Sequence, residues 1–450
     1  MKKYLLLFLL IIYLALAGTM GNITADNETN SSQTIKPLSL EDCLKIASEN
    51  NRQVLIMNEA TNQTGGKITE AKAGRYPSVS TTINYTRIDQ LQSFSVGGSK
   101  ITTGSLDNYK AELSIKQSLY TSGLISSGIR IAQLGQIIQK TQKEDLLRNL
   151  NFQIKNTYYD ILLNEEIVKV NLKTEENGLA HLNDVTKHHQ QGLVSDYDLL
   201  RAKVQLSNIR AMLIQSQSTF KRSKLVLINL IGLPLDSADG LILSDKLVYK
   251  ENAPSLAAAF FVSDGPDFGG KNRPDLRAAQ INIDIQKETL RMTKAQGLPS
   301  FFLVGNYGEE NPSRYAFGDP KWGDYWNVSA MISIPIFEGF LISAKIRQGN
   351  SALHQAEIAE LDLKERIKLE LQQAILILKD SIELINSQKE NVAQAQEGLR
   401  LVDVGYKNGA NTQLEVLDAQ IALDTVSKNY IQAVYLYNIA QATIESVTAK

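Results

Sequence analysis

Several residue types are scarce in this chain of 450 residues, and each scarcity excludes a class of protein. The single cysteine, Cys43, cannot close a disulfide within the chain, and there is no cysteine pair to hold a zinc ion. Aromatic residues make up only 7% of the sequence, which is low for a large globular core. The formal net charge is -1, so we expect no nucleic-acid partner.

Catalytic and metal-binding motifs are also lacking. The sequence contains no H-E-x-x-H, no G-x-S-x-G and no phosphate-binding P-loop. His181, His188 and His189 lie near one predicted helix end, but the spacing from 181 to 188 is two turns, which does not suit a shared metal. We expect these histidines on a solvated helix surface. No catalytic residue, metal site or cofactor is predicted.

The N-terminus is typical of a secretory signal peptide covering residues 1–17. Lys2 and Lys3 precede an apolar run from Tyr4 to Ala17 that ends in an Ala-Leu-Ala cleavage site. The run is shorter than the roughly 20 residues of a spanning helix, although a short membrane anchor is an alternative. No cysteine stands directly after it, so a lipid-modified N-terminus is not indicated.

An internal duplication is the strongest feature of the sequence. Pro77-Ser78 matches Pro299-Ser300 at an offset of 222 residues, whereas later pairs, such as Gly192 with Gly409, share an offset of 217. Repeats of this kind indicate one architecture built twice. We therefore predict three parts after the signal peptide: a first repeat at 18–231, an irregular glycine- and proline-bearing connector at 232–273, and a second repeat at 274–450.

Each repeat is predicted to contain a helix, a β-hairpin (78–120 and 300–337), a long helix, a tight turn and a second helix. In the first repeat these are a helix at 39–77, strands at 78–89 and 109–120, and helices at 124–188 and 196–231. In the second they are a helix at 274–297, strands at 300–308 and 325–337, and helices at 341–404 and 412–447. We expect Gly65-Gly66 to kink the first helix, and 90–107 and 309–324 to be polar loops.

The predicted strands alternate between apolar and polar side chains, only weakly in the third. Such segments suit a membrane barrel with lipid outside and water inside, although a soluble half-buried sheet has the same pattern. Four strands are too few for a wide barrel, whereas three chains would supply twelve. Aromatic residues near the strand ends would form its interfacial girdles: Tyr85, Tyr109, Tyr120, Tyr307, Trp322, Tyr325 and Trp326.

The two long helices are unusual in length. About 65 residues at 1.5 Å each correspond to roughly 95–100 Å. In the second, apolar residues recur with coiled-coil-like spacing at Ile367, Leu371, Ala374, Leu378, Ile382 and Ile385. Helices with so narrow an apolar stripe must pack side by side into a tube or bundle.

In this combination of features the chain resembles the TolC-like outer-membrane efflux family over nearly its whole mature length. The resemblance is carried by Leu38–Asn51, Pro77-Ser78, Pro299-Ser300, Leu119–Gly123, Ile336–Gly339, Gly192-Leu193 and Gly409-Ala410. It implies a mainly α fold with a small β part: a homotrimer with a shared twelve-stranded outer-membrane β-barrel and a long periplasmic α-barrel. It also implies a passive exit duct of a tripartite efflux or type I secretion system in a Gram-negative outer membrane. The partners would be a periplasmic adaptor (membrane fusion) protein and an inner-membrane transporter.

The resemblance also implies a gate at the periplasmic end. Glu415 and Asp418, three residues apart on one helix face, would form two stacked acidic rings in a trimer, a cation-selective constriction. Crowding in those rings is expected to raise both pKa values. Tyr406 matches a position that hydrogen-bonds between neighbouring helices, and Asp198 is its expected partner. Asn411 stands where a basic residue is frequent, which is a departure from the family pattern.

The two predicted turns would be the contacts for the adaptor. Their residues are Gly192, Leu193, Val194 and Ser195 in the first repeat and Gly409, Ala410, Asn411 and Thr412 in the second. The same residues also suit ordinary helix–turn–helix chemistry, in which glycine ends one helix and serine or threonine caps the next. The alternative to a channel is a periplasmic or surface coiled-coil scaffold or adhesin without a pore.

Overall fold

The computed structural model describes residues 37–249, 273–315 and 321–448. The first half contains helices α1 Leu40–Asn50 and α2 Arg52–Ala73, strands β1 Ser78–Arg87, β2 Gln92–Val96, β3 Ser99–Thr103 and β4 Asp107–Tyr120, and helices α3 Leu124–Gln190 and α4 Asp196–Ile231. The second half contains helix α5 Pro274–Ala295, strands β5 Ser300–Asn311 and β6 Gly323–Ser333, and helices α6 Leu341–Lys407 and α7 Gln413–Thr448. The predicted signal peptide and most of the predicted connector lie outside the described residues.

The long helices α3 and α6 contain 67 residues each, so each extends about 100 Å. Their bounds lie within three residues of the predicted ones. Each is followed by a turn and a helix of 36 residues, which gives a first helical hairpin, α3–α4, and a second helical hairpin, α6–α7. Among the described helices, none combines the length and apolar character that crossing a membrane requires.

The predicted apolar stripe of α6 forms the contact with the neighbouring helices. Its residues are buried except Ile382, which is half-buried. The facing residues on α7 are Ala433, Val434, Tyr437, Ala440 and Ile444. Removal of this narrow apolar surface from water stabilises the second helical hairpin.

A second core lies where α1 meets the first helical hairpin. It contains Cys43, which is fully buried, with Ile154 and Tyr158 of α3 and Leu227 of α4. The described start of the connector covers this core, because Leu38 and Leu243 pair as a short parallel β-bridge. These contacts hold the start of the first repeat against its end.

The first predicted helix is divided, and the predicted kink was misplaced. Asn51 ends α1 and caps α2, because its side-chain oxygen accepts hydrogen bonds from the backbone N–H of Gln53 and of Val54. Its amide donates to the carbonyl of Leu230 at 2.7 Å. Gly65-Gly66 instead lies within the continuous helix α2. A polar side chain that satisfies free backbone N–H groups broke the helix where two glycines did not.

The four main strands form one antiparallel sheet in the order β1-β4-β5-β6. Their register brings the apolar side chains of all four strands to the same face. Val79 pairs with Ile115, and Tyr307 pairs with both Leu113 and Trp326. Most of this face is exposed in the single chain, with Trp326 73% exposed. The opposite face carries polar side chains, among them Asn84, Ser114, Asn306, Asn327 and Ser329.

Aromatic side chains mark both ends of this apolar face. Tyr109 lies 5.0 Å from Tyr85 and 6.1 Å from Trp322, measured between ring centroids, at one end. Tyr120 lies 5.9 Å from Phe301 at the other. Tyr325, predicted as a girdle residue, is instead buried, and its hydroxyl donates to Glu112 at 2.5 Å.

The predicted loop at 90–107 contains structure of its own. Strands β2 and β3 form a separate two-stranded hairpin around Gly97-Gly98, both with positive φ. A Gly-Gly pair permits this tight turn because glycine lacks the Cβ that opposes positive φ. In the second repeat, β5 continues to Asn311 and β6 ends at Ser333, two residues before Pro335, which cannot donate to a strand ladder.

Candidate functional site at the turns of the two helical hairpins

The turns of the two helical hairpins have the same backbone geometry. Gly192 and Gly409 have φ of 72° and 76°. In the first turn the N–H of Leu193 donates to the carbonyl of His188 at 2.9 Å, and in the second Ala410 donates to Gly405 at 2.8 Å. Each glycine also donates to a carbonyl three residues earlier, which completes a Schellman motif. The duplicated sequence therefore folds into duplicated turns.

Capping boxes follow both turns. The Oγ of Ser195 accepts from the N–H of Asp198 at 3.2 Å, and the Asp198 carboxylate accepts from the N–H and hydroxyl of Ser195 at 3.3 and 2.7 Å. Thr412 and Glu415 repeat this pattern: the Glu415 carboxylate accepts from the N–H of Thr412 at 2.6 Å and from its hydroxyl at 3.0 Å. Asp198 and Glu415 are thus equivalent positions of the two repeats, and each satisfies free N–H groups at the start of a helix.

This geometry changes the expected electrostatics of Glu415. Hydrogen bonds from the backbone N–H of Thr412 and from the side chains of Asn411 and Thr412 hold its pKa below the ordinary value. In the single chain this direction is opposite to the expected rise, because donors that prefer the charged form surround the carboxylate. Asp418, one turn further along α7, is exposed like Glu415. The two carboxylates therefore remain available on the surface of the second helical hairpin.

Asn411 is an integral part of the second turn. Its amide donates to the Glu415 carboxylate at 3.2 Å, and its own N–H points to the carbonyl of Gly405 at 3.3 Å. The side chain lies so close to Gly405 that a Cβ at that position would overlap it. Asn411 therefore supports the turn and the capping carboxylate, where the family pattern frequently has a charged residue.

The expected hydrogen bond between Tyr406 and Asp198 is not present between these two described residues. The Asp198 carboxylate is turned toward its own helix cap, and its backbone carbonyl accepts a long hydrogen bond of 3.4 Å from Gln413. The ring of Tyr406 instead lies 5.9 Å from the ring of His181 on α3. Burial raises the pKa of Tyr406, and the nearby negative charges of Asp184 and Asp198 add to the rise.

His181 is a residue that the sequence analysis placed wrongly. It is half-buried rather than solvated, and its Nε2 is buried without a hydrogen-bond partner. Burial lowers its pKa, opposed by the charges of Asp184 and Asp403. No periodic signal marks this position, because the contact is made between two helices that are far apart in sequence.

Further polar contacts join the two helical hairpins above the turns. The hydroxyl of Thr174 on α3 donates to Asp424 on α7 at 2.9 Å, and Gln420 donates to the same carboxylate at 3.1 Å. Burial raises the pKa of Asp424. Together with the contacts of Tyr406 and Gln413, the hydrogen bond between Thr174 and Asp424 shows that the second helical hairpin lies against the first over several helical turns.

The predicted adaptor contacts are mostly exposed. Leu193 is 67% exposed, and on the adjoining first turns of α4 Tyr197 and Leu200 are 70% and 60% exposed. Val194 is half-buried. No cluster of three potential metal ligands occurs among the described residues. The turns thus present apolar side chains beside carboxylates.

Comparison with known proteins agrees with this architecture. The family model for outer membrane efflux proteins matches residues 43–233 and 270–450. The outer membrane protein TolC of Escherichia coli is 22% identical over 397 residues, which cover 84% of this chain and 76% of that protein. The protease secretion protein PrtF of Dickeya chrysanthemi is 21% identical, covering 87% of this chain and 83% of that protein.

Solved structures show the same fold. The outer membrane channel CmeC of Campylobacter jejuni superposes with a TM-score of 0.76 at 14% identity, over 95% of this chain and 90% of that chain. The two matched segments of the family model correspond to the two halves described above, and residues 234–269 of the connector lie between them. The chain therefore belongs to the outer membrane efflux protein family.

Proposed function

We propose that three copies of this chain assemble into a channel that carries exported substrates out through the outer membrane. The observation that carries the proposal is the sheet, whose register gathers apolar side chains from four strands on one exposed face. An isolated protomer would leave this face in water. Lipid outside and an aqueous lumen inside satisfy both faces.

The edges of the sheet support a closed assembly. Strands β1 and β6 are its edges, and each has a row of backbone groups that lack a partner strand in the sheet of one protomer. Pairing β6 of one protomer with β1 of the next satisfies both edges, and three protomers close a ring of twelve strands. An even strand number of this size lies within the range of outer-membrane barrels.

The helical hairpins supply the tunnel below the sheet. Three pairs of hairpins, each about 100 Å long, would surround a continuous passage. Glu415 and Asp418, both exposed on the second hairpin, would line its narrow end as two rings of three carboxylates. Such rings favour cations. In this proposal the chain holds no catalytic centre and transport through it is passive.

The exposed apolar residues of the turns indicate the partner. Leu193, Tyr197 and Leu200 form a surface that suits the helical tips of a periplasmic adaptor protein. Through that adaptor the channel would receive substrates from an inner-membrane transporter. The family of outer membrane efflux proteins supports an efflux role, and the protease secretion protein among the relatives supports a secretion role.

Ion conductance in planar bilayers tests the channel directly. The purified, detergent-extracted protein is expected to give discrete conductance steps, because a closed trimer has a continuous aqueous lumen. The control is the same protein unfolded and added in the same detergent. Insertion without any conductance would contradict the proposal and favour a scaffold or adhesin without a pore.

A further inference from the structure

The contact between His181 and Tyr406 joins the two helical hairpins close to their turns. His181 lies on α3 of the first hairpin and Tyr406 on α6 of the second, and their ring centroids are 5.9 Å apart. The Asp198 carboxylate, the expected partner of Tyr406, is held in the cap of α4. The histidine ring therefore packs beside Tyr406, where a hydrogen-bonding carboxylate was expected.

The surroundings of His181 suit only its neutral form. Its Nε2 is buried without a partner, so a proton added there would be desolvated and would find no acceptor. Asp184 on its own helix and Asp403 on α6 are the charges that act on it. A lysine forms an ion pair with each of these carboxylates. The Nζ of Lys187 lies 3.7 Å from Oδ1 of Asp184, and the Nζ of Lys407 lies 2.6 Å from Oδ2 of Asp403. Neither acid approaches the ring as a hydrogen-bond partner.

We infer that His181 is the positioning residue that holds Tyr406, and that its protonation releases this one contact, so that the turn end of the second helical hairpin moves away from the first. This inference rests on the proposed channel function. When this contact opens, the imidazole reaches water and takes up a proton at its ordinary pKa of about 6.5. The packed contact is therefore fully stable above that pH and is lost as the pH falls below it. The result is a passage that opens wider in acid.

The pH range of the experiment distinguishes titration of His181 from titration of the proposed acidic rings. Between pH 7.5 and 5.5 a histidine titrates, whereas an exposed Asp or Glu side chain with an ordinary pKa of about 4 stays charged. Asp424, whose pKa burial raises, lies at the Thr174 contact and not in the proposed acidic rings. The hydrogen bonds at Glu415 hold its pKa lower still, which keeps that carboxylate out of the window. A conductance change within this window therefore reports on a histidine rather than on the carboxylates of the constriction.

The test is the conductance of the reconstituted full-length trimer at pH 7.5 and at pH 5.5. We expect the wild type to conduct roughly three to ten times more at pH 5.5, since this pH lies about one unit below the ordinary histidine pKa and can shift the ratio of released to packed contacts up to about tenfold. His181→Phe keeps a ring that cannot be protonated and should show no rise. Tyr406→Ala removes the contact, so a channel of this variant should conduct strongly at both pH values.

A matched control lies two turns away on the same helix. His188 has an exposed side chain, so His188→Gln should keep the wild-type rise. The inference is overturned if His181→Phe retains the rise, if His188→Gln abolishes it, or if the wild type conducts equally at both values. A wild-type trimer that never conducts would contradict the proposed function itself. Native mass confirms that each variant is assembled.

Discussion

At the scale of single residues, the two acids that follow the second turn differ in their contacts. Glu415 caps α7, whereas Asp418 lies one turn further along the same helix. The capping role was readable in the sequence, since Ser195 with Asp198 and Thr412 with Glu415 fit the capping-box pattern at equivalent repeat positions. The contact of His181 was not readable, because it depends on how two distant helices cross.

The double change Glu415→Ala and Asp418→Ala is predicted to weaken the preference of the channel for cations. Six carboxylates at a narrow constriction concentrate cations, and their removal should lower the cation-to-anion permeability ratio several-fold. Reversal potentials in a salt gradient measure this ratio. Glu176→Ala, which removes an exposed acid of α3 away from the turns, is the control and should keep the ratio. Unchanged selectivity in the double variant would place the constriction elsewhere.

Loss of one cap is predicted to destabilise the second turn measurably. Thr412→Ala removes the hydroxyl that accepts from the N–H of Glu415, and such caps contribute about 1 kcal/mol. The midpoint of chemical unfolding measures this loss. Thr425→Ala removes a hydroxyl from the middle of the same helix, where backbone partners are already satisfied, and should cost less. Equal losses of stability in the two variants would mean that the Thr412 cap stabilises the protein no more than a hydroxyl within the helix does.

At the scale of elements, the periodicity of the sequence predicted those helices and strands whose formation depends on local interactions. The long helices, their turns and the strand positions followed from spacing, and the observed bounds differ from the predicted ones by a few residues. The break at Asn51 and the β2–β3 hairpin were missed. Asn51 depends on a carbonyl of α4, a distant partner, and the short hairpin lies in a segment whose polar composition resembles a loop.

Truncation of the α6 stripe is predicted to weaken the second helical hairpin strongly. Leu378 is 1% exposed between α6 and α7, and Leu→Ala at such a site typically costs 2–5 kcal/mol because a cavity remains. The free energy of unfolding in denaturant measures the loss. Leu376, two residues earlier, is 59% exposed, so Leu376→Ala should cost much less. A similar cost at both positions would contradict the assigned packing of α6.

At the scale of the whole molecule, the duplication explains why one chain can supply two related hairpins of unequal role. The turns and caps are shared between the repeats. Other positions differ: Asp418 of the second repeat corresponds to Arg201 of the first, and His181 of the first repeat corresponds to a glycine of the second. These differences give each hairpin its own surface. The sheet depends on the same duplication, because each repeat supplies one edge and one central strand.

The native mass of the protein extracted by detergent from the outer-membrane fraction tests the central claim most directly. The account predicts a mass of three protomers after correction for bound detergent, because a ring of twelve strands pairs the open edges of β1 and β6 in every protomer. A monomer that dissolves without detergent would contradict the shared barrel and support a coiled-coil scaffold instead.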